Sequence, residues 1–121
     1  MGHIDVVRQL LSHPDIQVSL GAQSGSTPLH FACYEDHVDV VRQLLSHPDI
    51  QVNLASQGGF TPLDVACTMG HVDVVYQLLS HPDIQVNLAG QSGVTPLRFA
   101  RRMGHVNVVR QLLNHPDIRS T

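Results

Sequence analysis

The chain has 121 residues, 42% hydrophobic and only 14% charged, with a net charge of −3, which suits a single packed domain and excludes a disordered chain. No stretch approaches the roughly 20 apolar residues of a membrane span, and no polycationic field is present to hold nucleic acid. All seven basic residues are Arg, so a Lys Schiff base and a P-loop Lys are excluded.

The opening run Met1-Gly2-His3-Ile4-Asp5-Val6 has no basic region followed by an apolar core. It also lacks the Ser or Thr that a myristoylation signal needs. A helix is expected from Ile4 to Leu11, followed by the tetrapeptide His13-Pro14-Asp15-Ile16. That tetrapeptide returns at His47, His81 and His115, a step of 34 residues each time. Thr27-Pro28-Leu29 returns at Thr61 and Thr95, and the His3 run returns at His37, His71 and His105, with the same step. A shared period of this size defines stacked units, each burying its apolar face against its neighbours.

The unit can be read locally. Thr61 is a good N-cap and Pro62 suits the first helical position. Leu63, Ala66 and Cys67 then share one helix face. Met69-Gly70 ends that helix, glycine accepting the left-handed conformation found there. A second helix follows, with Val72, Val75, Leu78 and Leu79 on one stripe and Asp73 in its first turn, where the dipole favours a negative charge. His81-Pro82 stops it, and the span from Val86 to Val94, rich in Gly, Ser, Gln and Asn, is expected to be a loop. Leu44, Leu45, Leu78 and Leu79 are expected to be buried between neighbouring units.

With these elements in order at constant spacing, the chain resembles the ankyrin repeat family throughout its length. Thr27-Pro28-Leu29-His30-Phe31-Ala32 matches the family's Thr-Pro-Leu-His-x-Ala signature. Gly-His before a Val-rich helix ending in Leu-Leu, and Val-Asn in the following loop (Val52-Asn53, Val86-Asn87), are similar too. The resemblance implies an all-α solenoid of helix-turn-helix repeats joined by β-turn-like loops. It would form a single domain over 1–121, with a half repeat at 1–20 and repeats starting near 21, 55 and 89. Two departures stand out. The period exceeds the family's roughly 33 residues by one, the extra residue falling in the His-Pro-Asp-Ile loop. The signature His survives only as His30, being Asp64 and Arg98 in the next two units. The inter-repeat bonds that the resemblance implies for this His are therefore disturbed at those units. An ion pair between Asp64 and Arg98 is one expectation, and local capping by Asp64 is the other.

Eight of the nine His fall into two columns one period apart. Stacked helices stand roughly 8–10 Å apart, so equivalent imidazoles cannot share a zinc at about 2.0–2.1 Å per bond. Capping and loop roles are expected, with no metal and no cofactor. Cys33 and Cys67 are equivalents as well, too far apart for a disulfide. Two buried thiols and a reducing, cytoplasmic or nuclear compartment are expected. The Gly-rich segments 56–59 and 90–93 recur at the repeat period and read as turns, and no Ser/His/acid set stands out from the repeated background. No enzyme is expected. Arg98, Arg101 and Arg102 are too few to hold a polyanion.

Between 37–70 and 71–104, 26 of 34 positions are identical. The differences are Arg42/Tyr76, Ser56/Gly90, Gly58/Ser92, Phe60/Val94, Asp64/Arg98, Val65/Phe99, Cys67/Arg101 and Thr68/Arg102. Several lie in the turn before the first helix or at its exposed end, the region in which the resemblance implies partner contacts. The expected function is a protein-binding scaffold using loop tips and the concave face of the first helices, for a partner whose identity the sequence does not name. Its candidate contacts are Gln23, Ser24, Ser26, Tyr34 and Glu35, then Gln57, Phe60, Thr68 and Met69, then Gln91, Val94, Arg102 and Met103. Tyr34 and Phe60 are the expected anchors. The alternative is an engineered or excised repeat array with a structural role alone, which near-identical repeats favour. Arg101, Arg102 and Asn107, standing where earlier units have Cys67, Thr68 and Asp73, mark the last unit as a polar cap. Ile4, Val7 and Leu11 carry no such change, and that uncapped edge is expected to be either cut from a longer array or covered by another molecule, self-association being one way to cover it.

Overall fold

A computed structural model describes residues 27–56, 58–89 and 93–119. Gln23, Ser24, Ser26, Gln57 and Gln91 lie outside the described residues, as does the edge formed by Ile4, Val7 and Leu11.

The described residues form six helices in order: α1 (Pro28–Tyr34), α2 (Val38–Leu45), α3 (Pro62–Met69), α4 (Val72–Leu79), α5 (Pro96–Arg102) and α6 (Val106–Leu113). Each is only two turns long, too short to persist alone in water, so stability must come from stacking. Within a unit the two helices pack on each other. Along the stack α1, α3 and α5 form one layer and α2, α4 and α6 a second. The described residues contain no strand.

The first helices start as the sequence dictates. Thr27, Thr61 and Thr95 are N-caps with extended backbone, and the following Pro fills the first position. The third helical residue decides whether the cap is reciprocal. The side chains of His30 and Asp64 accept from the N-cap backbone N–H and complete a capping box. Arg98 has no acceptor to offer, and Thr95 accepts from Arg98 N without return.

The core is a column of repeated aliphatics. Leu29, Leu63 and Leu97 of the first layer and Leu44, Leu78 and Leu112 of the second are fully or almost fully buried, each worth about 1.5–3 kcal/mol of apolar burial. Leu45 and Leu79 are a correction to the sequence expectation, being only partly buried against the core. The deepest stripe of α4 runs through Val74, Val75 and Leu78, which turns Leu79 and Val72 onto its flanks. In α6 the equivalent flank is open: Val106 is 63% and Leu113 42% exposed. The last unit therefore combines exposed polar side chains, Arg101 and Arg102 of α5 and Asn107 of α6, with this open apolar flank.

Loops between units are clamped by asparagine amides. Asn53 Nδ2 donates to the Asp83 carbonyl at 2.8 Å while its Oδ1 accepts from Gln85 N at 2.9 Å. Asn87 repeats this one unit on, with the Asp117 carbonyl at 2.7 Å and Arg119 N at 2.8 Å. In every described His-Pro-Asp turn the imidazole Nδ1 accepts from the backbone N–H of the Asp, as between His81 and Asp83 at 3.1 Å.

Candidate functional site

Six of the candidate contact residues come from the C-terminal ends of the three first helices. Tyr34, Thr68 and Arg102 occupy one ladder position, and Glu35, Met69 and Met103 the next. Tyr34, Glu35, Met69, Arg102 and Met103 are exposed, and Thr68 is half-buried. From the loops, Phe60 is exposed and Val94 half-buried. The Phe60 ring packs on Phe99 of α5 with centroids 5.6 Å apart, so a loop residue of one unit is carried by the first helix of the next.

That contact brings in a column absent from the candidate set. Phe31, Val65 and Phe99 repeat along the first helices; Phe31 is 50% exposed, and the other two are half-buried. Their signal was present in the sequence as the variable position of the Thr-Pro-Leu-His-x-Ala pattern. Aromatic side chains there add partly exposed apolar area to the first-helix layer.

Beneath this surface the helix ends are held by histidines. The His71 ring donates through Nδ1 to the Cys33 carbonyl at 2.9 Å, and the His105 ring through Nε2 to the Thr68 carbonyl at 3.0 Å. Both bonds satisfy carbonyls that a helix end leaves without an intrahelical partner. His30 completes the scaffold on the loop side. Its Nδ1 accepts from Thr27 N at 3.0 Å, and its Nε2 donates to the Phe60 carbonyl at 2.8 Å, fixing the loop that carries the Phe60 ring. Burial holds the His30 pKa below the ordinary imidazole value, the Phe60 carbonyl opposing that shift.

Asp64 makes no ion pair with Arg98. Its Oδ2 accepts from Thr61 N at 3.0 Å, and Arg98 stays exposed. Among the described residues one ion pair forms, between the exposed side chains of Arg42 and Asp39. The cap wins because Thr61 N lies within the same turn, whereas Arg98 stands a full repeat away. Asp64 is buried, and its Oδ1 has no hydrogen-bond partner. Burial raises its carboxyl to about 6, the Thr61 bonds pulling the other way. Cys33 and Cys67 are free and buried, and burial pushes both thiols up, Asp64 and Cys33 adding to the effect on Cys67. Neither thiol has the exposure or the depressed pKa of a nucleophile.

Among the described residues no group of three or more His, Cys, Asp or Glu is placed to hold a metal ion, and no helix is long and apolar enough to cross a membrane. An open hollow of about 310 Å³, lined by Tyr76, Leu79, Ser80, Gln111, Asn114, His115 and Pro116, lies on the second layer, away from the candidate contacts.

Stacked helix pairs with capped first helices and amide-clamped loops define a repeat solenoid. The family described as ankyrin repeats (3 copies) matches residues 1–89 and again 59–121. The chain belongs to the ankyrin repeat family. Ankyrin repeats are in general protein–protein interaction modules, typically without catalytic activity. A comparison with curated proteins gives no match.

Proposed function

We propose that this chain is a protein-binding scaffold whose contact surface is the exposed end of the first-helix layer together with the loop residues Phe60 and Val94. One observation carries the reading. The core leucines and the histidines and asparagines that tie one unit to the next repeat, while helix-end positions change from unit to unit, as exposed Tyr34, half-buried Thr68 and exposed Arg102 do. A rigid frame presenting variable, partly aromatic side chains has the chemistry of an interface centre. No group in it performs a reaction; its task is to hold a shape.

A peptide-display selection on the immobilised chain tests this. Ligands enriched on the native protein should lose saturable binding to a Tyr34→Ser, Phe60→Ser, Met69→Ser variant whose unfolding midpoint is preserved. Ligands that bind both proteins equally would remove the face from the account.

A second reading, a structural array with no partner of its own, draws on the identity of 26 of 34 positions between adjacent units. Under that reading the selection returns no ligand that distinguishes the variant from the native chain.

A further inference from the structure

The exposed end of the first-helix layer is electrically polar along the stack. At the first described unit it ends in Glu35 and Asp36, both exposed, and at the last in Arg101 and Arg102, both exposed. The middle unit contributes Thr68 and Met69 at the equivalent helix end and no exposed charge there. First helices spaced roughly 8–10 Å apart place the acidic and basic ends about 20 Å from one another. Between them runs an apolar strip made of Tyr34, Met69 and Met103, with Phe31 and Phe60 beside it. Tyr34 and Met103 are each 54% exposed and Met69 39%.

A surface with an acidic end, an apolar middle and a basic end becomes its own complement when rotated by half a turn about its centre. Under that operation the Glu35–Asp36 end of one copy faces the Arg102–Met103 end of the other, bringing Glu35 beside Arg102 at both ends, and Met69 faces its own copy. This is the condition for an isologous contact. Complementary charges set its orientation, and the apolar strip supplies area to remove from water.

We propose that a second copy of this chain occupies this face, the two first-helix layers packing antiparallel about a two-fold axis at Met69. The proposal rests on reading the face as an interaction surface and names its occupant. The contact uses only side chains that are exposed in the single chain, so dimerisation requires no change in fold. Its charged ends lie at the rim, so salt weakens the dimer.

Sedimentation equilibrium of the full chain, at low and at physiological salt, tests the proposal. A closed dimer is expected, weakened by salt. Glu35→Arg and Arg102→Glu should each weaken it by roughly tenfold, because each puts like charges together at both ends. The two single variants mixed in equal amounts, and the double variant carrying both changes, should each recover dimerisation. Met69→Cys should yield a disulfide-linked dimer on air oxidation, since residues on a two-fold axis meet their own copies. A strict monomer at high concentration overturns the proposal, as does a dimer indifferent to the charge reversals, or an open series of oligomers with no Met69→Cys cross-link. A monomer that still binds displayed peptides through Tyr34 and Phe60 removes the second copy and leaves the interaction reading intact. A monomer that binds none removes both.

Discussion

The His105 imidazole lies against the α-carbon of Gly70, so closely that a Cβ there would stand 2.6 Å from the ring. Gly70 also has φ of +74°, so two constraints meet at one residue. The turn needs the left-handed conformation, and the neighbouring unit needs the space through which its His reaches the Thr68 carbonyl. One repeat earlier the same turn holds Asp36 at φ of 59°. There the following unit's His71 bonds the Cys33 carbonyl through Nδ1. The acceptor is thus one residue earlier in the turn than the Thr68 carbonyl that His105 uses.

Gly70→Ala should therefore cost about 2–3 kcal/mol, the left-handed strain plus the loss of the His105 bond. Gly104 is the control. It has the same φ of +74°, and a Cβ added there would meet nothing within 4 Å, so Gly104→Ala should cost only about 1 kcal/mol. Urea unfolding of the two variants compares them directly, and equal costs would show that the ring contact contributes nothing.

The buried carboxyl of Asp64 gives stability a pH dependence of unusual sign. Its folded pKa of about 6 lies above the unfolded value of 3.8. Between these values the folded state binds more protons, and stability falls as pH rises. Asp64→Asn keeps an oxygen for Thr61 N without carrying a charge. Relative to the native chain the variant should gain about 2–3 kcal/mol between pH 3.5 and pH 7.5. A difference between the two proteins that stays flat over that range would refute the buried-carboxylate account.

His30 should act in the opposite direction. Its pKa is lowered by burial, so the unfolded chain takes up a proton first as pH drops below the ordinary imidazole value of about 6.5. The stability it contributes is present above that value and is lost as pH falls through its folded pKa. His30→Ala should cost about 1–3 kcal/mol at pH 7.5, through the lost cap and the stranded Phe60 carbonyl. The cost should shrink on acidification, as denaturant titrations at several pH values would show.

Adjacent leucines in α4 should respond unequally. Leu78 is fully buried, and Leu79 lies on the flank of the helix. Leu78→Ala should destabilise by about 2–5 kcal/mol, as a cavity in a closed core does, and Leu79→Ala by about 1 kcal/mol, through partial loss of burial. Thermal unfolding ranks them, and a reversed order would contradict the helix phase.

The repeat period, the Thr-Pro starts of the first helices and the Gly70 stop could all be read from the sequence, because each is a local rule with its own residue type. Depth in the second helices could not be read as finely. Val72, Val74, Val75 and Leu79 are all apolar, and only packing separates the buried pair, Val74 and Val75, from the flanks. The Asp64 cap competed on paper with a pair to Arg98 and won through proximity within one turn. Of the proposed face, the helix-end positions were legible as departures from the repeat. Phe31 and Phe99 showed only as the variable position of the signature, which does not by itself say how far the ring is exposed.

Backbone hydrogen exchange with and without a selected peptide ligand tests the binding-face account most directly. The account predicts new protection at the turns following α1, α3 and α5, around Glu35, Gly70 and Gly104, and in the loop carrying Phe60, with α2, α4 and the His81 turn unchanged. Protection concentrated on the second layer, around Tyr76 and the His115 turn, would place the working surface on the opposite side of the stack and contradict the account.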